Sequence, residues 1–140
     1  MKNILMIGTG GTIASEMTPS GLTPELNSTQ LLSFVPRIGE MCHVDCVQLY
    51  SLDSTNIRPA HWLGVAKAVR ENYARYDGFV ISHGTDTMAY TAAALSFMLL
   101  DIDKPVILTG SQLPLDHAIT DARVNLLEAA EAALGAAIHL

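Results

Sequence analysis

The sequence predicts an α/β fold in which a parallel β-sheet is covered by helices on both faces. Short apolar segments of strand length alternate along the chain with segments whose apolar residues recur at helical spacing. Each polar, glycine-containing loop also follows the end of one of the short apolar segments. In an open parallel sheet such loops share the edge at which ligands bind, so the pattern also predicts where a site should lie.

The composition argues against several classes of protein. A chain of 140 residues is long enough for one domain with a substantial core. Hydrophobic residues make up 49% of it, yet no apolar run approaches the roughly 20 residues needed to span a bilayer. The apolar stretch after Lys2 is too short for a signal peptide, which favours a cytoplasmic location. A net charge of −6 with scattered basic residues argues against a nucleic-acid partner.

The first strand is predicted at residues 3–7, followed by a turn at the glycine-rich residues 8–12. Adjacent glycines let backbone N–H groups approach a ligand closely and place Thr12 beyond the strand end. The loop is neither a dinucleotide fingerprint, because its third glycine is missing, nor a P-loop. Residues 15–27 mix Pro, Gly, Ser and Thr without periodicity, which predicts a loop long enough to act as a flap.

The middle of the chain is predicted to contain two helices and a strand. Ser28 can cap a short helix that ends at Pro36, and residues 44–52 alternate enough to form the second strand. Pro59 suits the first turn of a longer helix. The apolar stripe of that helix is predicted to belong to the core and consists of Trp62, Val65, Val69, Tyr73 and Tyr76.

The remaining elements follow the same alternation. Residues 78–83 are predicted as the third strand, and residues 87–100 are apolar nearly all round, which predicts a deeply packed helix. Residues 105–108 are predicted as a fourth strand that is buried on both faces. A last helix is expected from residue 121 to residue 134, with Gly135 as its cap, and residues 136–140 then begin a further strand.

Cys42 and Cys46 flank His43 and Asp45, which raises the question of a zinc site. No second pair of ligands accompanies them in the sequence, so we expect buried free thiols and no metal.

Four polar loops follow the predicted strands, at residues 8–12, 53–56, 84–87 and 110–112. Thr85 lies in an unbroken polar run between two very apolar segments, and a helix start favours the negative charge of Asp86 beside it. Helix capping by Asp86 would explain only one of these polar residues. We therefore expect a functional site at this edge.

Two segments resemble the signature motifs of asparaginases: TGGTIA at residues 9–14 and HGTDTM at residues 83–88. Asp53-Ser54 before Asn56, AYTA at residues 89–92 and GSQLP at residues 110–114 are more similar to the cytoplasmic type I branch of bacterial L-asparaginases than to the periplasmic type II branch. The resemblance covers nearly the whole chain. It implies a flavodoxin-like parallel sheet that forms the amino-terminal domain, with a smaller carboxy-terminal domain expected beyond residue 140.

The resemblance also implies a reaction, the hydrolysis of L-asparagine to L-aspartate and ammonia by a threonine nucleophile without cofactor or metal. Thr12 is assigned as the nucleophile and Thr85 as the second catalytic threonine, and which of them acts in which step stays open. Asp86 would orient the family's catalytic lysine and bind the substrate ammonium. Asp53 and Ser54 would hold the charged α-end of the substrate. Gly84 joins the substrate-binding residues, since N–H groups of glycine loops can stabilise an oxyanion.

Two features depart from the family pattern. The mobile loop usually offers a tyrosine, but residues 21–24 contain Leu22, which has no hydroxyl, so Thr23 is the candidate mobile-loop contact. Neither Lys67 nor Lys104 stands in the motif of the catalytic lysine. We therefore expect that lysine beyond residue 140 and predict that residues 1–140 alone are inactive.

Two alternatives to an asparaginase remain open. One is the glutaminase-type subunit of an archaeal tRNA-dependent amidotransferase, which carries the same signatures. The other is a non-catalytic domain that binds a small molecule on the same scaffold. The family resemblance further implies a homodimer or homotetramer. The absence of a long apolar run argues against a membrane partner.

Overall fold

The computed structural model describes residues 1–18, 21–24 and 27–135, with side chains described at residues 1–13 and 27–135. The strands are β1 (Asn3–Gly10), β2 (Ser15–Thr18), β3 (Gly21–Pro24), β4 (His43–Leu52), β5 (Gly78–Ser82) and β6 (Val106–Thr109). The helices are α1 (Ser28–Phe34), α2 (Pro36–Met41), α3 (Pro59–Asn72), α4 (Met88–Met98) and α5 (Ala122–Ala133). Short 3₁₀ turns follow β1 at Thr12–Ala14 and β4 at Ser54–Asn56.

Strands β4, β1, β5 and β6 form a parallel sheet in that order, which confirms the predicted flavodoxin-like α/β fold. The chain runs from β1 outward to β4 and then crosses back to β5 on the other side of β1. The direction of winding thus reverses between β1 and β5. Beyond the carboxyl ends of these two strands a doubly wound sheet opens its ligand crevice.

Alternating residues of the central strands point to opposite faces of the sheet, and each face carries its own core. Ile4, Met6 and Val80 pack on one side against α1, α2 and α5, through residues that include Leu31, Ile38 and Leu126. Leu5, Ile7, Phe79 and Ile81 pack on the other side against α3 and α4, through residues that include Val65, Val69 and Leu95. Both faces of the sheet are covered, as the sequence predicts.

Strand β1 continues to Gly10, three residues beyond the predicted end at residue 7, because the glycines fit a close approach to β4. Gly10 pairs with Leu52 after a register shift, and a Cβ on Gly10 would lie 2.3 Å from the carbonyl oxygen of Leu52. Gly10 and Gly11 both have positive φ values, of 114° and 83°. These two residues, and not Gly8, turn the chain away from the sheet.

Residues 15–27, predicted as an irregular loop, contain the antiparallel pair β2 and β3, in which Thr23 lies opposite Glu16. Pro24 occupies the last position of β3, where a strand tolerates a missing N–H donor. The side chain of Thr23, the predicted mobile-loop contact, lies outside the described side chains.

The predicted helix after Ser28 is α1, which ends before Pro36 as predicted but has a different capping residue. Asn27, not Ser28, caps α1, because its Oδ1 accepts the N–H of Gln30 at 2.8 Å. Pro36 also begins a second helix, α2, since a first-turn proline lacks a donor that the helix would not use. Pro59 likewise begins α3, and Gly135 follows α5 with φ +70°, both as predicted. Residues 136–140, predicted to begin a further strand, lie outside the described residues.

Helix α4 is less buried than its apolar sequence predicts. Within the helix only Thr91 and Leu95 are buried, whereas Tyr90 and Phe97 are 69% and 76% exposed, and Leu100 just beyond it is 78% exposed. One side of α4 packs on the sheet and the other forms an apolar surface. Strand β6, predicted as buried on both faces, is only half-buried up to Thr109 because it lies at the edge of the described sheet.

Candidate functional site

The loops after β1, β4, β5 and β6 meet at one edge of the sheet and enclose a cleft of about 340 Å³. Six residues predicted from the sequence lie in its wall, namely Thr12, Asp53, Ser54, Gly84, Thr85 and Asp86. The remaining wall consists of Gly11, Ser51, Leu52 and Gln112. The structure thus brings together every predicted site residue whose side chain is described.

Thr12 lies exposed at the start of the turn after Gly11, and the buried Ile13 anchors this turn in the core. The β1 and β5 loops touch backbone to backbone, since a Cβ on Gly11 would lie 2.5 Å from the nitrogen of Gly84. Any larger residue at position 11 would push the loops apart. The two glycines therefore allow Thr12 and Thr85 to share one cleft.

Asp53 and Ser54 are fixed by the turn that follows β4. Asp53 Oδ1 accepts bonds of 3.1 Å from the N–H and from the hydroxyl of Thr55, so the Oδ2 atom takes part in neither. Ser54 is buried against the β5 loop, and its carbonyl accepts the hydroxyl of Thr87 at 2.8 Å. A Cβ on Gly84 would lie 2.6 Å from the Cβ of Ser54. The β4 and β5 loops therefore form one continuous wall.

Thr85 and Asp86 occupy the segment between β5 and α4. Gln112 Nε2 donates to the hydroxyl oxygen of Thr85 at 3.2 Å, which leaves the hydroxyl hydrogen of Thr85 to find a different acceptor. The N-cap of α4 is Thr87, and no side chain caps this helix. Helix capping therefore does not account for the exposed carboxylate of Asp86.

The loop that carries Gln112 is held by Asp121. The carboxylate oxygens of Asp121 accept the N–H of Gln112 at 2.9 and 3.2 Å and the N–H of Leu113 at 3.1 Å. These bonds from Gln112 and Leu113 to the charged carboxylate lower the pKa of Asp121. Asp121 thereby stabilises the loop in the conformation that presents Gln112 to Thr85.

Sequence reasoning missed three residues that build this site: Thr87, Gln112 and Asp121. The sequence places Gln112 and Thr87 in polar strand-end loops, but nothing local in it indicates that they bond to Thr85 and to Ser54. It predicts only a helix start at Asp121, whose bonds to Gln112 and Leu113 bridge nine and eight positions. The sequence feature that predicts the site is the occurrence of polar residues directly after successive parallel strands.

The two cysteines lie away from this edge, on and before β4, and both are free. Burial raises the pKa of Cys42, and burial together with the charge of Asp45 raises the pKa of Cys46 to about 12. Both thiols are therefore protonated and unreactive near neutral pH.

Across the described part of the chain, no three His, Cys, Asp or Glu side chains are grouped so that they could hold a metal ion. None of the described helices has the length and apolar character of a membrane span.

Comparison with known proteins identifies the family. Residues 3–139 match the family model described as the N-terminal domain of asparaginase. The chain is 41% identical over 131 residues to a glutamyl-tRNA(Gln) amidotransferase subunit of Saccharolobus islandicus, covering 91% of this chain and 29% of that protein. It is 41% identical over 135 residues to the amidotransferase subunit of the same name from Archaeoglobus fulgidus, covering 95% and 32%.

Solved structures give the same result. The thermostable L-asparaginase from Thermococcus kodakarensis and L-asparaginase I from Vibrio cholerae each superpose with a TM-score of 0.81 at 41% identity, covering 94% of this chain and 40% of theirs. A probable cytoplasmic L-asparaginase from Campylobacter jejuni superposes with a TM-score of 0.80 at 34% identity, covering 96% and 40%. The 140 residues thus span less than half the length of these relatives. The chain belongs to the asparaginase family, whose N-terminal domain it matches.

Proposed function

We propose that the protein hydrolyses the side-chain amide of L-asparagine to L-aspartate and ammonia through a threonine ester. The observation that supports this most strongly is the cleft in which two threonine hydroxyls, of Thr12 and Thr85, lie with two carboxylates and a serine. Its volume of about 340 Å³ is at the small end of ligand clefts and suits an amino acid. A cytoplasmic location is part of this proposal, and no metal or organic cofactor is needed.

In the proposed reaction the Thr12 oxygen attacks the amide carbon, and a tetrahedral intermediate forms. The C–N bond then breaks, ammonia leaves with the transferred proton, and water hydrolyses the ester to release aspartate. A threonine hydroxyl is a poor nucleophile unless a base accepts its proton. The described residues of the cleft wall include neither lysine nor histidine. We propose that a lysine outside residues 1–140 draws the proton through Thr85, with Asp86 orienting that lysine.

Substrate recognition in this proposal relies on the charged α-end of asparagine. The carboxylates of Asp53 and Asp86 suit its ammonium group, and the hydroxyl of Ser54 suits its carboxylate. N–H groups of the glycine loops, where no side chain blocks their approach, would stabilise the oxyanion. Thr23 stays the proposed contact from the β2–β3 segment.

Replacing Asp86 with alanine is expected to weaken substrate binding as well as turnover. The substrate ammonium would remain in the cleft without its counter-charge, and the loss of such a bond costs about 1.5–3 kcal/mol. That corresponds to an increase in KM of roughly 10- to 100-fold, with a fall in kcat. Steady-state ammonia release tests this, with Asp116→Ala as the matched control, because Asp116 is an exposed aspartate outside the cleft wall. Unchanged KM and kcat in Asp86→Ala would remove Asp86 from the site.

A second candidate function is the supply of ammonia as the glutaminase-type component of a tRNA-dependent amidotransferase. The 41% identity to two amidotransferase subunits favours it. The two functions differ in substrate, so kcat/KM for free asparagine and free glutamine separates them. We expect a preference for asparagine, and a preference for glutamine would favour the amidotransferase function. Calorimetric binding of asparagine without ammonia release would instead indicate a non-catalytic binding domain.

Self-association is also proposed, because α4 presents an apolar outer surface. Tyr90, Phe97 and Leu100 are each more than two-thirds exposed, and such clustered apolar area usually marks an interface. We expect the full natural chain to sediment as a dimer or tetramer. Phe97→Glu combined with Leu100→Glu is expected to shift it toward monomer, whereas Val124→Glu, at another exposed apolar position on α5, should not. A monomeric wild-type protein at working concentration would contradict this proposal.

A further inference from the structure

A chain of three hydrogen bonds, buried at its centre, ends at Gly84 in the wall of the cleft. His83 is 1% exposed and follows β5. Its Nδ1 atom lies 2.6 Å from the carbonyl oxygen of Gly84, and its Nε2 atom lies 2.8 Å from the hydroxyl of Thr91 on α4. Thr91 is also 1% exposed, and its hydroxyl receives the indole N–H of Trp62 on α3 at 2.9 Å. Two helices are thereby connected to the loop that carries Thr85.

The chemistry of the end groups fixes the direction of the two outer bonds in this chain. An indole nitrogen can only donate, so the Thr91 oxygen accepts from Trp62 and its hydrogen is available for His83 Nε2. A carbonyl oxygen can only accept, so His83 Nδ1 carries the proton that faces Gly84. A ring with a single N–H therefore carries it on Nδ1, and its Nε2 accepts the Thr91 hydroxyl.

This arrangement also orients a peptide group in the cleft wall. The Gly84–Thr85 peptide is trans, as are all the described peptide bonds, so its N–H points opposite to its carbonyl. With the Gly84 carbonyl turned toward the buried ring of His83, the Thr85 N–H points away from that ring. Gly84 and Thr85 both line the cleft.

We infer that His83 is a positioning residue which, held by Thr91 and Trp62, fixes the Gly84–Thr85 peptide so that the Thr85 N–H donates to the oxyanion of the tetrahedral intermediate. The role rests on the proposed amide hydrolysis. It does not place His83 in contact with substrate. The packing around the segment restricts other movements, since a Cβ on Gly110 would lie 2.4 Å from the His83 carbonyl oxygen. Rotation of the Gly84–Thr85 peptide would break the bond between the Gly84 carbonyl and His83 Nδ1.

The test uses Thr91→Val and Thr91→Ser in the full natural chain, because valine keeps the shape of threonine and serine keeps its hydroxyl. Ser96→Ala is the control, as Ser96 is an exposed hydroxyl on the same helix. Each variant is measured for binding of L-aspartate, which is the product of the proposed reaction, and of aspartate β-semialdehyde. The threonine hydroxyl gives its proton to the base of the proposed reaction and its oxygen adds to the aldehyde carbon. The C=O electron pair moves to the carbonyl oxygen, and a tetrahedral oxyanion forms.

We expect Thr91→Val to weaken aldehyde binding and to lower kcat by about 10- to 100-fold, somewhat less than outright loss of an oxyanion donor. Binding of aspartate and KM should stay within about twofold, because neither depends on an oxyanion. Thr91→Ser should recover most of the loss, and Ser96→Ala should behave like wild type. Equal losses for aldehyde and aspartate, or no loss at all, would overturn the inference.

Nitrogen NMR of the His83 ring gives a readout that does not depend on activity. The wild-type protein should show the neutral Nδ1–H tautomer, and Trp62→Phe or Thr91→Val should disturb it. A different tautomer in wild type would overturn the inference even if asparagine is hydrolysed. Absence of asparagine hydrolysis in a wild-type protein that shows the expected tautomer would instead overturn the proposed function and with it the oxyanion role.

Discussion

Replacing Thr12 with alanine in the full natural chain is expected to abolish amide hydrolysis while the fold stays intact. Thr12 would form the ester with substrate. Among the residues that the β1 loop contributes to the described cleft wall, Thr12 is the one with a hydroxyl group. Removal of a nucleophile in another hydrolase costs on the order of 10⁶-fold in kcat, and we expect a loss of at least about 10⁴-fold here. Because Thr12 is exposed and lies outside both cores, its methyl and hydroxyl groups add little to stability.

Ammonia release and the circular-dichroism spectrum, measured on the same preparations, test this prediction. Thr12→Ser is the matched variant, because serine keeps the hydroxyl, and it should retain measurable turnover. Turnover close to wild type in Thr12→Ala, with an unchanged spectrum, would show that Thr12 is not the nucleophile.

The second large effect concerns residues 1–140 as a separate polypeptide, which we expect to hydrolyse asparagine negligibly. Lys67 and Lys104 both interact with groups outside the cleft. Lys67 is exposed and lies 3.7 Å from Glu71 on the same helix, and Lys104 Nζ donates to the carbonyl of Tyr73 at 2.5 Å. Neither residue lines the cleft. Loss of a positioned base costs about 10²–10⁴-fold in rate.

Weaker support for the loop that carries Gln112 is expected to lower the rate of hydrolysis further. Strand β6, which leads into the loop of Gln112, lies at the edge of the described sheet and is only half-buried before Thr109. A displacement of catalytic groups by about 1 Å can cost roughly 100-fold. Ammonia release from residues 1–140, measured beside a chain extended through the family's lysine and second domain, checks the prediction. Comparable rates would show that the proposed role of the lysine is wrong.

The sequence was sufficient to predict the sheet and the edge at which the cleft lies, because both follow from local patterns. Apolar strands alternate with helices, and polar loops follow the strands, so Thr12 and Thr85 could be expected to meet. Contacts between distant segments were not predictable in this way. The hydrogen bonds from Gln112 to Thr85 and to Asp121 depend on how β6 is placed against β5.

The differences between the predicted and the observed secondary structure and burial also arise where a local pattern fits more than one structure. The sequence predicts the end of β1 at residue 7 and a turn over residues 8–12. The strand instead continues to Gly10, and Gly10 and Gly11 make the turn, because glycine both extends and breaks strands. Asn27 and Ser28 are both good caps, and propensity alone does not choose between them. The apolar sequence of α4 predicted burial within the chain, but Phe97 is exposed. An apolar helix side can be covered by the same chain or by another, and the sequence pattern does not distinguish these two cases.

The central claim, a covalent threonine ester at this cleft, is tested most directly by trapping the intermediate. The full natural chain is quenched in acid during turnover of L-asparagine, digested with trypsin and analysed by mass spectrometry. Thr12 and Thr85 lie in different tryptic peptides, residues 3–37 and residues 76–123. We predict an aspartyl adduct on the first peptide, at Thr12, which is absent in Thr12→Ala. An adduct on Thr85 would contradict the assignment of the nucleophile, and full turnover with both peptides unmodified would contradict the covalent mechanism itself.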